Sequence, residues 1–299
     1  MMSCSLVQSA YGKSRVRLTK VTRLADRHLL KEIAVDIQLE GAFDRSYTDG
    51  DNSNIVATDT MKNTVYALAS SDPIENIETF AKNLGNHFVT KYKQIALATI
   101  SIEEELWQRI PTAQGPHRHA FTGGSNEKRV TNIECTRESV TVESGIEGLS
   151  VLKTTDSEFH GFVRDEYTTL ADTNDRIFAT NIMVHWLLKS PDADFDKVYE
   201  NIREICLDVF ATHHSLAVQE TLFQIGKVAL EKCDSVEQIT VTMPNQHRIP
   251  VDLTRFGLQN KNEIFVPTDE PFGLISATVG RGVAQPNQAK LAAGSSKSN

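Results

Sequence analysis

Several short segments of this chain gather side chains that can hold planar or anionic groups, or move protons. Tyr11-Gly12-Lys13 lies just ahead of the first apolar alternation, and Val56-Ala57-Thr58-Asp59-Thr60-Met61-Lys62-Asn63-Thr64 spans a strand-to-helix junction. Ser157-Glu158-Phe159-His160-Gly161-Phe162, Arg164-Asp165-Glu166-Tyr167-Thr168-Thr169-Leu170 and Thr173-Asn174-Asp175-Arg176 follow, then Val218-Gln219 and Pro244-Asn245-Gln246-His247. Each residue alone has an ordinary reading. Lys13 suits a solvated surface, Arg176 an ion pair with Asp172 or Asp175, Phe159 the core, and Gln219 an exposed first helical turn. Only the combination carries weight.

Other chemistries lack their signatures. The chain contains no G-x-G-x-x-G, no Walker A segment and no H-E-x-x-H, so dinucleotide, nucleotide-triphosphate and zincin readings have no support. His117-x-His119 and His213-His214 are the close histidine pairs. The first lies in a turn-like Gly115-Pro116 context with no Cys or carboxylate nearby to complete a metal shell. The second ends an expected helix, where positive charge complements the macrodipole. No resident metal is expected.

These segments must be positioned by elements legible in the apolar pattern. Ile33, Val35, Ile37 and Leu39 alternate with polar or small residues, the period of a half-buried strand; Val16 and Leu18 mark a shorter one before it. Thr58 or Asp59 is expected to cap a helix, and Asp72-Pro73 to open another, with Ile77, Phe80, Ala81, Leu84 and Phe88 at helical spacing. Ile95 to Ile102 reads as a strand running on to Trp107. Farther along, strands are expected at 130–135, 140–143, 149–153, 177–186 and 239–242. A long helix capped at Asp194 carries Phe195, Val198, Tyr199, Ile202, Cys206, Val209 and Phe210 on its apolar face, and Ser215 is expected to cap the next, with Leu222, Ile225 and Ala229 inward. Both halves thus read as two strands, one or two helices, then two strands. That pattern indicates α+β, with helices on one face of an antiparallel sheet. Open sheet edges must be paired or covered, and closing sheets into a ring across subunits removes them, so a symmetric oligomer is expected.

Composition narrows the class. With 40% hydrophobic and 23% charged residues the chain is of ordinary globular type, and no apolar run approaches the roughly 20 residues that cross a bilayer. A net charge of −8 argues against a general nucleic-acid binder. The N-terminus lacks a basic region followed by an apolar stretch, so the chain is expected to stay inside the cell. Cys4, Cys135, Cys206 and Cys233 show no C-x-x-C spacing, and Cys206 reads as a small buried hydrophobe. The small, polar tail 285–299 is expected to be disordered.

Taken in order, Tyr11-Gly12-Lys13, Val56-Ala57-Thr58-Asp59-x-x-Lys62-Asn63-Thr64, Gly148-Leu149-x-Val151-Leu152-Lys153-x-Thr155 and Pro244-Asn245-x-His247 resemble the urate oxidase family, from about Tyr11 to Gly280. The resemblance implies two tandem tunnelling-fold (T-fold) domains, placed at 1–138 and 139–284 with the tail 285–299 outside them. It also implies four-stranded antiparallel sheets that form a barrel in a homotetramer, with active sites at subunit interfaces. One chain would supply Lys13, Thr58 and Asp59, and its neighbour Phe159, Leu170, Arg176, Val218, Gln219, Asn245 and His247. The implied activity is cofactor-free oxidation of urate by O2 and water to 5-hydroxyisourate and hydrogen peroxide.

The residue types suit that substrate. Arg176 offers a planar fork to a carbonyl and adjacent ring nitrogen, and the single amide of Gln219 both donates and accepts at the opposite edge. Phe159 gives a stacking face, and the backbone N–H of Val218, in a first helical turn, binds an anionic oxygen. By the resemblance, Lys13 and Thr58 relay the proton, Asn245 holds oxygen or water above the ring, and His247 orients Lys13 or passes protons onward. Two departures stand out. His160 follows the stacking phenylalanine where some relatives carry tryptophan, and the chain ends Ser296-Lys297-Ser298-Asn299 rather than in the Ser-Lys-Leu peroxisomal address, which favours a cytoplasmic location. The competing readings are another T-fold enzyme acting on pterins or purines, which would anchor its heterocycle with a glutamate, and a non-catalytic purine binder, which would need neither Lys13 nor Thr58.

Overall fold

The computed structural model describes residues 4–282. In chain order the elements are β1 (Tyr11–Arg23), β2 (His28–Gly41), α1 (Asp44–Thr48), α2 (Thr58–Ser71), α3 (Ile77–Lys91), β3 (Ile95–Thr112), β4 (Gly115–Cys135), β5 (Val140–Lys153), β6 (Phe178–Leu188), α4 (Phe195–Thr212), α5 (Val218–Lys232), β7 (Val236–Pro250) and β8 (Phe265–Gly280). A 3-10 turn, Thr254–Phe256, lies between the last two. All neighbouring strands are antiparallel and run in sequence order, β1 to β8, so two four-stranded halves join edge to edge through β4 and β5. The expected α+β architecture is present.

One face of this sheet is apolar from end to end. Ile33, Val35, Ile37 and Leu39 of β2 stand beside Ile102, Ile100 and Ala98 of β3, and these beside Ile133 and Cys135 of β4. The row continues through Val142, Ile146 and Leu149 to Val184, Ile182 and Val241. The helices pack on this face, α3 over β3 and β4 and α5 over β7 and β8. The opposite face is polar, with Ser101 bonded to Asn132 at 2.8 Å and Thr240 to Thr278 and Thr242 to Ser276 at 2.7 Å. Period-two strands with one covered face produce this division.

The two halves repeat one another in detail. α3 and α5 are each 15 residues long, and each carries a glycine at the same step, Gly85 and Gly226. A Cβ on Gly85 would lie 2.5 Å from the Cys135 sulfur, and one on Gly226 would lie 2.7 Å from Cγ2 of Val279. The glycines let each helix settle onto the strand pair that follows it. Both helices then turn through three residues into a strand. Arg137 closes the first turn by donating to the carbonyls of Lys93 and Ile95 at 2.7 Å. Arg281 closes the second on Val236 at 2.7 Å and Cys233 at 2.9 Å.

A polar clasp joins the halves. Arg129 of β4 reaches the fully buried Glu78 in the first turn of α3 at 2.8 Å and Asp196 in the first turn of α4 at 2.5 Å. Ser144 of β5 donates to the same glutamate at 2.9 Å. Glu127 takes two bonds from Arg203, at 2.6 and 2.9 Å, and one from the Tyr199 hydroxyl at 3.1 Å. A buried charge is tolerable only when paired and hydrogen-bonded in this way.

Several local expectations need correction. Asp72 does not open α3. It ends α2 and turns back onto the N–H of Ile74, while Asn76 caps α3 by accepting from Thr79 at 2.9 Å. Ser215 is buried, accepts from Thr221 at 2.8 Å, and leaves the N-cap to Ala217. Neither Thr58 nor Asp59 caps α2, whose N-cap is Ala57. The strands at 140–143 and 149–153 are one strand, β5, with an irregularity between Ile146 and Leu149. Asp194 caps α4 as expected, accepting from Lys197 at 3.2 Å. All cysteines are free, and burial pushes the Cys206 thiol up to about 12 and Cys135 up to about 11, which fits inert core positions. The tail 285–299 lies outside the described residues. Among the described residues, no helix is long and apolar enough to cross a membrane.

Candidate active site

Five of the expected site residues converge. Phe159, Leu170, Arg176, Asn245 and His247 line one cleft of about 530 Å³, together with Arg248, Ile249 and Phe265. Its floor comes from the strand pairing. Asn245 of β7 lies between Thr180 of β6 and Gly273 of β8, and the β7–β8 register then shifts before His247, which pairs with Thr268. Asn245 and His247 share the face of Val241 and Met243, just beyond where α5 covers the sheet. Such irregularities re-aim side chains at functional sites.

Arg176 enters from the segment leading into β6. Its N–H donates to the carbonyl of Ser157 at 2.9 Å, and its Nε to the Ser157 hydroxyl at 3.4 Å. Its guanidinium lies 5.3 Å from the centre of the Phe159 ring. Among the described residues no carboxylate pairs with it: Asp172 holds Arg164 at 3.0 Å and Asp175 accepts from Thr155 at 2.9 Å. Burial draws its pKa below the usual arginine value, yet arginine stays cationic. A half-buried cation without a counter-ion, with donors facing a cleft, suits a planar anion. Phe159 is held by reciprocal backbone bonds with Thr173, at 2.9 and 3.0 Å, and stacks on Phe162 at 4.9 Å.

Val218 and Gln219 open α5 and are tied to this cleft through a parallel bridge between Ser157 and Ser215. Val218 is buried and Gln219 exposed. Their N–H groups fall in the first turn, where no intrahelical acceptor exists, and Ala217 supplies no capping side chain.

Lys13, Thr58 and Asp59 form a second cluster. β1 bulges between Lys13 and Val16, with Arg15 at a φ of 56° and its N–H on the Asp36 carboxylate at 2.7 Å. The extra residue lets Tyr11 and Lys13 share the covered face with Val16 and Leu18: their partners are Leu39, Ile37, Val35 and Ile33, all core. Thr58 and Asp59 are exposed in the first turn of α2. A hydrogen bond and ion pair with Lys62, with a smaller effect of nearby Lys13, hold the Asp59 carboxyl below its usual value.

Within one chain the clusters stay apart. Lys13 is on the edge strand β1 and His247 on β7, with five strands between them. Sequence reasoning missed Arg248 and Phe265 in the cleft wall. Arg248 directly follows His247, but Phe265 belongs to β8, where Pro267, the polar run Thr268-Asp269-Glu270 and Pro271 interrupt the apolar alternation and leave no strand signal. Among the described residues no group of three His, Cys, Asp or Glu side chains could hold a metal.

Comparison with known proteins extends this geometry. The family model described as Uricase matches residues 9–134 and 142–276. A uricase of Arthrobacter globiformis is 43% identical over 276 residues, covering 92% of this chain and 90% of that one. A uricase of Dictyostelium discoideum is 38% identical over 280 residues, 93% of this chain and 98% of its own. The crystal structure of the Arthrobacter globiformis uricase superposes with a TM-score of 0.91 at 41% identity, covering 96% of this chain and 99% of that one. With both repeats, the cleft and the lysine–threonine cluster inside the matched regions, the chain belongs to the uricase family.

Proposed function

We propose that the chain is a urate oxidase in purine degradation, converting urate, O2 and water to 5-hydroxyisourate and hydrogen peroxide. The observation that carries this reading is the convergence of Phe159, Arg176, Asn245 and His247 on one cleft in a member of the uricase family. In the proposed complex urate stacks on Phe159. Arg176 donates to one edge, Gln219 and the Val218 N–H read the other, and Leu170 closes the side. Thr58 and Asp59 contact the ring from the neighbouring chain.

The urate anion supplies two electrons and O2 takes them, leaving as hydrogen peroxide; water adds at C5. No resident metal or flavin is needed. The protein's work is positioning and proton transfer. Lys13 and Thr58 pass the proton, His247 orients Lys13 or relays it onward, and Asn245 holds O2 or water over the ring.

The reading requires more than one chain. Lys13 and Thr58 lie near the β1 edge, and among the described residues β1 and β8 each have a strand neighbour on one side only. Pairing these edges between chains would close a barrel and bring one chain's lysine–threonine cluster to the other's cleft, within a homotetramer of two-domain chains divided near residue 138. A cytoplasmic location goes with this reading and is checked by fractionation.

The pterin-enzyme alternative needs a free glutamate to anchor its heterocycle. Glu78, at the step of α3 that Gln219 occupies in α5, is fully buried and bound to Arg129, which disfavours that reading. The test is purified protein with urate, O2 and a chelator, following urate absorbance and peroxide together. Loss of urate with equal peroxide is expected. Turnover only on adding metal or flavin overturns the cofactor-free mechanism, and no turnover overturns the assignment.

A further inference from the structure

The Glu158 side chain sits between two histidines. Its Oε1 lies 2.6 Å from Nε2 of His214, and its Oε2 lies 3.0 Å from Nε2 of His160. The other ring nitrogen of His214 lies 3.7 Å from Asp156. The Glu158 side chain is 18% exposed, and both histidines are half exposed. The backbone repeats the connection. Glu158 N–H donates to the Ser215 carbonyl at 2.7 Å, and Ser215 N–H donates to the Asp156 carbonyl at 3.0 Å.

Two site elements leave this junction side by side, because the two segments run parallel. Phe159 follows Glu158 directly, and Val218 and Gln219 open the helix that begins just after His214 and Ser215. The gap between the stacking ring and the edge-reading amide is therefore set where residues 156–158 run beside 213–215. Backbone bonds fix the separation of the two segments. Among the described residues the Glu158 carboxylate alone holds both His214 and His160, the residue after Phe159, which ties the segment that carries the ring to the start of α5.

We infer that Glu158 is a positioning residue for the planar substrate, setting Phe159 against the start of α5 through its paired histidines. This rests on the reading of the cleft as a urate site. Glu158 touches neither the ring nor the relay, since Lys13 and Thr58 lie on other elements. Its loss should therefore act on binding more than on the chemical step. It also accounts for His160: at this position the side chain is the second arm of the Glu158 clasp.

The experiment is steady-state oxidation of urate by the full chain, comparing wild type with Glu158→Gln, His214→Leu and His214→Gln. Loss of a charge-assisted bond raises KM for urate about tenfold in Glu158→Gln and His214→Leu, with kcat falling by less than about twofold. His214→Gln keeps an N–H donor for Glu158 and should restore a KM near wild type, a rescue that general loosening of the fold would not produce. If Glu158→Gln does not fold, the two His214 variants decide alone. A wild-type chain that oxidises urate while these variants keep its KM overturns the inference and leaves the assignment standing. Equal losses of kcat in all three variants also overturn it. A wild-type chain that leaves urate untouched overturns the assignment, and the inference with it.

Discussion

The Tyr11 hydroxyl accepts the backbone N–H of Val56 at 2.8 Å, and Lys13 and Thr58 each lie two residues beyond the bonded pair. One hydrogen bond thus sets the spacing of the proposed proton relay. Edge-on packing of the Tyr11 ring against Phe43, with centroids 4.8 Å apart, fixes its direction. Burial raises the Tyr11 pKa, so the phenol stays neutral. Tyr11→Phe keeps the ring and strands the Val56 N–H, which costs about 1–3 kcal/mol when buried. The expected outcome is a kcat lowered about tenfold, with a smaller change in KM. Steady-state kinetics with urate check it, and an unchanged kcat would separate the relay from this bond.

Lys13→Met and Arg176→Ala should fail differently. The lysine variant should lose turnover by about a hundredfold while still binding urate, and the arginine variant should chiefly raise KM, by a comparable factor. Because the two clusters are assigned to different chains in each site, co-expressing the two variants should restore roughly a quarter of wild-type activity, from sites that draw their good half from each partner. No recovery in co-purified mixed oligomers would mean that each chain carries a complete site.

Gly85→Ala places a methyl group 2.5 Å from the Cys135 sulfur. Overpacking at such a contact costs about 1–3 kcal/mol, read as a lowered denaturation midpoint with an unchanged m-value. Adding Cys135→Ala should recover most of the loss, because the residues share one contact. Independent, additive losses would show that the helix accommodates the methyl elsewhere.

On the uncovered face, His185 of β6 lies 3.3 Å from Glu147 of β5. The glutamate hydrogen bond, foremost, holds the His185 pKa above its usual 6.5, and the same bond lowers Glu147 below its usual 4.5. The raised histidine contributes stability fully present below 6.5 and lost as pH rises through its folded value. The lowered glutamate contributes above 4.5 and loses its share as pH falls through its own folded value. The pair therefore stabilises most at about pH 5–6, and by no more than about 1 kcal/mol for a pair this accessible. Urea midpoints of wild type and His185→Gln should differ at about pH 6 and converge above about pH 8. A constant difference across that range would assign the effect to packing.

Much of the fold was legible because its apolar face is periodic. Ile33 to Leu39 and Phe195 to Phe210 declare strand and helix outright, and Asp194 caps where expected. The errors lay where side-chain chemistry has two uses. Asp72 and Ser215 are good caps by type, yet one turns back on Ile74 and the other is buried in a bond with Thr221. The bulge after Lys13 left no trace in the sequence, since Arg15 rather than glycine adopts the left-handed φ. Of the residues the resemblance pointed to, Phe159, Leu170, Arg176, Asn245 and His247 line one cleft. The separation of Lys13 from them reflects strand order, which periodicity cannot convey.

Glu78 and Gln219 stand at matching steps of α3 and α5, and their surroundings divide their roles. Gln219 looks outward beside a cleft; Glu78 is sealed within the protein, with Arg129 and Ser144 on its oxygens. The duplicated helix therefore leaves its second residue exposed in one copy and commits it to a buried ion pair in the other. Exchanging Glu78 for glutamine would create no second port for a ring. It would leave the Arg129 guanidinium with Asp196 as its remaining carboxylate partner at the seam between the halves, so this copy of the motif has become part of the joint on which the other copy depends.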